Sequence, residues 1–133
     1  MPVVIPAVDI REVNEYIFTN RIPEQVRNKK FYIDNISVGK AVRASSSLPV
    51  VFSPCDFKNH KFLDGGTLNN VPAIQVRKLG ADKVISINFQ ADEIDEKSNI
   101  MDIVMKSLDI MGNKISENSL KNSDFILTVP SDK

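Results

Sequence analysis

An aspartate followed by two glycines is the stretch of this chain whose residue types could do chemistry. Asp64, Gly65 and Gly66 follow the strand-like run 61–63 and precede helix-forming sequence that begins near Pro72. Ligands of open α/β sheets bind beyond the carboxyl ends of strands, so Asp64 is expected to face a ligand there. Glycine has no Cβ, so both glycines could adopt positive φ and let a substrate or another loop approach. On these residues alone, an Asp-Gly turn without a catalytic role is the simpler interpretation.

Three neighbouring serines, Ser45, Ser46 and Ser47, offer hydroxyl groups as candidate nucleophiles. A catalytic serine needs a sharp exposed turn, usually G-x-S-x-G between a strand and a helix, but these serines lie at a predicted helix end without a nearby glycine. We interpret their hydroxyls as partners of the last backbone groups of that helix and its turn. The single histidine, His60, lies in a polar stretch and is expected to be exposed. A Ser-His-Asp triad is therefore not predicted.

Metal, cofactor and redox chemistry have little support in the sequence. One histidine and one cysteine cannot form a zinc site, and neither G-x-G-x-x-G nor a P-loop occurs, so we predict no metal and no cofactor. Cys55 has no nearby basic residue and is interpreted as a buried, inert thiol. Because a lone cysteine cannot form an internal disulfide, the sequence predicts a reducing, cytoplasmic setting.

Charge and hydropathy argue against nucleic-acid binding and against a transmembrane helix. The chain has 17 basic and 17 acidic residues, which gives no electrostatic case for binding nucleic acid. No apolar run approaches the roughly 18 residues that a transmembrane helix needs. Its 133 residues, 42% of them hydrophobic and 26% charged, fit a single globular domain over 1–133.

Strands and helices alternate along the chain, and these elements must position Asp64. Strand-like runs occupy 3–8, 14–20, 82–89 and 124–130, and helical patterns occupy about 38–46, 72–79 and 99–121. Alternation of this kind implies an α/β fold with a mostly parallel sheet flanked by helices. We expect 3–8, 83–89 and 125–129 to share that sheet, and 61–89 to form a βαβ crossover.

Local signals refine two of the helices. Ser37 is predicted to cap the first helix. In the third helix, one face is predicted to be buried because its apolar residues recur at spacings of three and four: Ile100, Val104, Leu108, Met111 and Ile115. The acidic segment 91–99 before this helix is predicted to be a loop.

An ordered set of residues over 38–89 resembles the C-terminal half of a patatin-like phospholipase domain. In that family an R-A-S-x-x-x-P helix end leads to an F-x-P segment, which is followed by D-G-G or D-G-A, N-x-P, and G-A-D before a core strand. The matching residues are Arg43, Ala44, Ser45, Pro49, Phe52, Pro54, Asp64, Gly65, Gly66, Asn70, Pro72, Gly80, Ala81 and Asp82. The segment 6–10 also resembles the family's preceding strand.

This resemblance implies an activity as well as an α/β fold. Patatin-like enzymes are serine lipid acyl hydrolases with a Ser-Asp dyad: the serine of G-x-S-x-G attacks an acyl ester, and the aspartate of D-G-G is the base. The resemblance assigns the base to Asp64. The chain contains no G-x-S-x-G, and Gly39 is its first glycine. It therefore resembles a domain truncated at the N-terminus, and we expect the isolated chain to be inactive.

The expected partners follow from the same resemblance. The complete enzyme would act on a lipid or acyl ester, with peripheral association at membranes, and the chain would self-associate or bind the missing N-terminal half. One alternative is a non-catalytic binding or regulatory module derived from this fold. Another is an unrelated α/β domain in which Asp64 only forms a turn.

Overall fold

The computed structural model describes residues 1–90 and 99–130. The predicted acidic loop 91–99 lies outside the described residues except for Asn99. In chain order the strands and helices are β1 (Val4–Asp9), β2 (Asn14–Thr19), a 3-10 helix (Lys29–Phe31), β3 (Tyr32–Ile33), α1 (Val38–Ser45), β4 (Cys55–Phe57), β5 (His60–Asp64), α2 (Gly66–Asn69), α3 (Ala73–Lys78), β6 (Ile85–Phe89), α4 (Ile100–Leu120) and β7 (Phe125–Val129). The predicted α/β class with flanking helices is confirmed.

Two sheets organise the described residues. The larger sheet has the strand order β3-β2-β1-β5-β4, and β6 pairs with β7 in the smaller one. In the larger sheet β1 runs antiparallel to β2 and to β5, β4 runs antiparallel to β5, and β2 and β3 are parallel. Strands β6 and β7 are parallel. Asp64 therefore lies at the end of a strand whose neighbours run in the opposite direction.

The predicted single, mostly parallel sheet is wrong in its strand directions and membership. β1 does not share a sheet with β6 and β7, and the predicted crossover over 61–89 fails because β5 and β6 belong to different sheets. The antiparallel direction of β2 follows from its short connection to β1: a 2.8 Å hydrogen bond from the Val13 N–H to the Asp9 carbonyl closes the turn. So tight a turn can join only antiparallel strands.

Pro6 lies in the central strand, where proline is normally excluded because it cannot donate a hydrogen bond. β5 pairs with β1 only from Ala7 to Asp9, and Asp64 lies opposite Ala7. At Pro6 itself β1 is therefore the edge of the sheet, and proline is tolerated there. This local edge leaves the Pro6 carbonyl accessible to α1 and to the turn after β5.

The core packs aromatic side chains of the larger sheet against small residues of α1. Phe62 is fully buried and makes edge-to-face contacts with Tyr16 and Phe18 at centroid distances of 5.6 and 5.0 Å. The residues of α1 that face this cluster are Ala41 and Ala44. The predicted cap is confirmed, because Ser37 Oγ accepts a hydrogen bond from the Lys40 N–H at 3.3 Å. Cys55 is buried in the same cluster, as predicted.

Helix α4 forms where predicted, but its apolar stripe is not buried. Asn99 and Asp102 form a capping box at its start. Ile100 is 77% exposed and Met111 is 54% exposed. The buried residues of α4 are instead Gly112 and Ser116, and Gly112 packs close to the α2 turn: a Cβ there would make an ordinary contact of 3.5 Å with the Gly66 carbonyl oxygen. No helix among the described residues is both long and apolar enough to cross a bilayer.

Candidate active site

Asp64 is the last residue of β5, and its backbone is anchored to the end of α1. The Asp64 N–H donates to the Ser47 carbonyl at 3.1 Å, and the Gly65 N–H donates to the Ser45 carbonyl at 3.2 Å. These bonds hold the end of β5 beyond its pairing with β4, which extends only to Phe62. They fix the point at which the chain leaves the sheet and enters α2.

The Asp64 carboxylate is held by the turn that follows it. The Gly66 N–H donates to Asp64 Oδ1 at 2.6 Å. No described residue donates a hydrogen bond to the second oxygen, Oδ2. The side chain is half-buried. One carboxylate oxygen is thus oriented by the backbone, while the other can accept a proton from a group placed near it.

Gly65 and Gly66 allow neighbouring atoms to come close to the backbone, and a positive φ does not explain either of them. Gly65 has φ −62°, so the expectation of positive φ is wrong there, and Gly66 begins the helix α2. A Cβ at Gly65 would overlap the backbone carbonyl of Pro6. A Cβ at Gly66 would lie 2.9 Å from Asp64 Oδ1. The segment that closely approaches the D-G-G turn is therefore strand β1. The lack of a Cβ at Gly66 leaves room for the Asp64 carboxylate.

A cavity of about 340 Å³ opens at Asp64. Three segments form its walls: the turn after α1, the helix α2 with its following loop, and the middle of α4. Leu48, Leu108 and Met111 give these walls an apolar part, and Asp64 and Asn70 add polar groups. The volume lies within the range of small-molecule sites, about 300–1,000 Å³. The lining also includes Asp109, so the cavity combines an apolar wall with two carboxylates and amide groups.

The three serines of α1 and its C-terminal turn are committed to backbone partners. Ser46 Oγ donates to the Val42 carbonyl at 2.7 Å, and Ser47 Oγ donates to the Arg43 carbonyl at 2.8 Å. These bonds satisfy the last turn of the helix, as the sequence predicted. Ser45 instead reaches the sheet, where its Oγ donates to the Pro6 carbonyl at 2.6 Å.

His60 is not the exposed residue that the sequence suggested. Its side chain is 23% exposed, and its Nδ1 lies 2.5 Å from Oδ2 of Asp9, whose side chain is 1% exposed. The ring stacks on Phe62 with a centroid distance of 5.4 Å. Burial raises the pKa of the Asp9 carboxyl, but hydrogen bonds from His60 and from the Arg11 N–H outweigh it, so the pKa lies below its usual value.

Glu12 and Tyr16 extend this ion pair. Tyr16 OH donates to Glu12 Oε2 at 3.0 Å, and the Lys30 ammonium lies 3.0 Å from the same oxygen. Burial and the Glu12 carboxylate raise the pKa of Tyr16 to about 12. The ligand atoms of Asp9, Glu12 and His60 lie within 4.8 Å of one another, a spacing that could hold a metal ion. In the structure these groups bond to each other and to neighbouring protein donors.

Sequence reasoning missed this cluster because His60 and Asp9 are far apart in the chain. Only the antiparallel register of β1 and β5, which pairs Asp9 with Phe62, brings the two side chains together. The histidine is therefore partnered with a carboxylate from the opposite strand. The hydroxyl groups of Ser45, Ser46 and Ser47 each donate to a backbone carbonyl instead of to His60.

The D-G-G turn lies within a segment that matches the model of a known protein family. Residues 3–77 match the family model described as patatin-like phospholipase, and this match covers more than half of the chain. The chain belongs to the patatin-like phospholipase family. The resemblance that residues 38–89 indicated is thereby confirmed, and so is the patatin-like fold. The matched segment contains Asp64, Gly65 and Gly66, whose roles stay predictions.

Two curated relatives match a patatin-like segment of this chain. "Patatin-like phospholipase domain-containing protein 7" from Mus musculus is 45% identical over 62 residues, which are 44% of this chain and 5% of that protein. "Neuropathy target esterase sws" from Drosophila melanogaster is 39% identical over 70 residues, which are 51% of this chain and 5% of that protein. The aligned segments thus span about one twentieth of these relatives.

Proposed function

We propose that this chain supplies the general base, Asp64, of a Ser-Asp dyad in a serine lipid acyl hydrolase. Membership of the patatin-like phospholipase family supports a function of the lipid-hydrolase type. The observation that carries the proposal is the position and orientation of the Asp64 side chain. The Gly66 N–H orients Oδ1, and Asp64 borders the cavity of about 340 Å³. A base needs a fixed orientation and an open path to the proton that it takes.

The chemistry assigned to Asp64 is proton transfer in two steps. Its Oδ2 takes the proton of the serine hydroxyl while the serine oxygen forms a bond to the ester carbonyl carbon. Collapse of the tetrahedral intermediate breaks the bond to the leaving alcohol, which receives that proton from Asp64. Water then attacks the acyl-serine, again losing its proton to Asp64, and the fatty acid departs as the serine regains its proton. Leu48, Leu108 and Met111 form an apolar wall for the acyl chain.

The serine of the proposed dyad comes from outside these 133 residues. The sequence contains no G-x-S-x-G. Each of the serines nearest Asp64 along α1 and its turn donates its hydroxyl proton to a backbone carbonyl, at 2.6 Å for Ser45, 2.7 Å for Ser46 and 2.8 Å for Ser47. Without a nucleophile and oxyanion donors, a carboxylate has no reaction to assist.

The purified chain is therefore expected to be inactive. We expect no turnover of a short-chain chromogenic ester such as p-nitrophenyl butyrate, and no labelling by a fluorophosphonate probe that reacts with activated serines. Turnover that is lost in Asp64→Asn would show that a nucleophile lies within the chain, and would contradict the proposed division of the dyad.

The exposed face of the smaller sheet is the surface through which we propose that the chain associates. This surface, the apolar face, consists of three cross-strand pairs: Ile85 with Phe125, Ile87 with Leu127, and Phe89 with Val129. Ile85 is 72% exposed and Phe89 is 68% exposed. Parallel strands are normally covered on both faces, so an uncovered pair favours contact with a second copy or with the segment that supplies the serine.

A further inference from the structure

We propose that a second cavity, distinct from the one at Asp64, binds an anionic amphiphile: an apolar chain that carries a phosphate group. This cavity has a volume of about 590 Å³ and lies between β2, the segment 23–32 and α3. Asp64 is not among the residues that line it. The proposal therefore adds a binding site to the proposed function and does not depend on the dyad.

The shape and lining of this cavity suit a ligand with an apolar part. Its volume lies inside the range of about 300–1,000 Å³ that small-molecule sites occupy, and it exceeds the volume of the cavity at Asp64. Ile17, Val26 and Phe31 contribute an apolar wall. Ile17 is buried in the sheet, and Phe31 packs edge-to-face on Tyr16 at 5.4 Å, so this wall is fixed by the core.

The charged residues that line the cavity give it a net positive charge, although both basic residues are exposed. Arg27 and Lys78 both line it, from the segment before β3 and from α3 respectively. Within residues 1–90 and 99–130, neither side chain forms an ion pair with a carboxylate. Arginine and lysine without acidic partners are the usual ligands of phosphate oxygens, because their N–H groups form charge-assisted hydrogen bonds. Two such cations on one cavity exceed the charge of the single carboxylate there.

That carboxylate, Glu15, is hydrogen-bonded within the protein. Its Oε1 accepts a hydrogen bond of 2.7 Å from the side-chain amide of Asn69, the last residue of α2. Tyr32 donates to Gln75 Oε1 at 3.2 Å, so these two lining residues are also joined. Burial and the Glu15 charge raise the pKa of Tyr32, so its hydroxyl stays neutral at pH 7. Arg27 and Lys78 together carry two positive charges against the one negative charge of Glu15, so they are the groups that attract the anion.

Calorimetric titration of the full chain with three probes tests both halves of the ligand. Octyl phosphate carries the charge and the chain, inorganic phosphate carries only the charge, and octanol carries only the chain. We expect octyl phosphate to bind more tightly than either of the others. The double variant Arg27→Gln/Lys78→Gln should raise its Kd by about tenfold or more, because two charge-assisted contacts are removed. The control Lys29→Gln removes a nearby charge that does not line the cavity and should leave Kd unchanged.

Chemical-shift mapping locates the bound probe. Resonances of Ile17 and Gln75 should shift on addition of octyl phosphate, whereas those of Leu108, on the wall of the other cavity, should not. Equal binding of inorganic phosphate would remove the apolar part of the proposal. The proposal is overturned by an unchanged Kd in the double variant, by an equal loss in Lys29→Gln, or by shifts confined to Leu108. None of these outcomes depends on esterase activity, so the proposed function is tested separately.

Discussion

The Gly66 N–H lies 2.6 Å from Asp64 Oδ1, so the carboxylate is held by the residue two positions after it. This bond ties the orientation of Asp64 to the start of α2. Two backbone hydrogen bonds also hold this turn against the end of α1. The Ser47 carbonyl accepts one from the Asp64 N–H at 3.1 Å, and the Ser45 carbonyl accepts one from the Gly65 N–H at 3.2 Å. The carboxylate is therefore preorganised before any substrate or serine arrives, which is the property that the proposed base requires.

Gly65→Ala should destabilise the fold, because the new methyl group would overlap the Pro6 carbonyl. Overpacking of this kind costs about 1–3 kcal/mol in the free energy of unfolding. The matched control is Gly39→Ala: Gly39 lies in α1, and a Cβ there meets nothing within 4 Å. Alanine should stabilise that helix by about 0.5–1 kcal/mol. Urea unfolding measures both changes, and a Gly65→Ala chain as stable as the wild type would refute the close approach of β1.

Asp9→Asn should reduce stability at neutral pH and flatten its dependence on acid pH. The pKa of Asp9 is lowered in the folded chain, so the unfolded chain binds the proton first as the pH falls. The stabilisation is complete above the ordinary aspartate pKa of about 3.9 and is lost as the pH falls through the lower folded value. Loss of the charged hydrogen bond to His60 should cost about 1.5–3 kcal/mol at pH 7.

Asp56→Asn is the control for this experiment. The Asp56 side chain is 69% exposed and its ion pair with Lys61 is 3.5 Å long, so its removal should change stability little. The measurement is the free energy of unfolding in urea between pH 7 and pH 3. If Asp9→Asn and Asp56→Asn show the same pH profile as the wild type, the Asp9–His60 pair does not stabilise the fold.

The apolar face predicts concentration-dependent association. Ile87 lies at its centre opposite Leu127 and is 55% exposed. Ile87→Glu should therefore shift the chain toward monomer in sedimentation-velocity experiments, because a charge cannot be buried in such a contact. Val38→Glu introduces the same charge at a residue of α1 that is 72% exposed and should leave the distribution unchanged. A wild-type chain that is monomeric at crystallisation concentrations would contradict this use of the face.

The sequence predicted local structure well because local structure depends on neighbouring residues. The Ser37 cap and the three longer helices follow from side chains within a few positions of each other. Asp64 could be proposed as a site residue because the D-G-G stretch is contiguous, and its role stays a prediction. Each of these predictions needed only a short window of the chain.

Long-range pairing could not be predicted in the same way. The apolar run of β6 has the composition of a central strand, yet the strand pairs only with β7 among the described residues. The Asp9–His60 pair depends on the register of β1 with β5. The cavity at Asp64 depends on the packing of α4 against the α2 turn, which joins segments far apart in the chain. A helical pattern predicts a buried face but does not identify the surface that covers it.

The most direct test of the central claim is the turnover number of the proposed complete enzyme, measured for Asp64→Asn with a phospholipid or short-chain ester. Asparagine keeps the shape of the side chain but not its basicity, so kcat should fall by about 100-fold or more while the free energy of unfolding changes little. Ser46→Ala, which removes a hydroxyl bonded to the Val42 carbonyl, should retain its activity. If Asp64→Asn keeps the wild-type kcat while His60→Ala abolishes it in a folded enzyme, Asp64 is not the base and the proposed dyad is wrong.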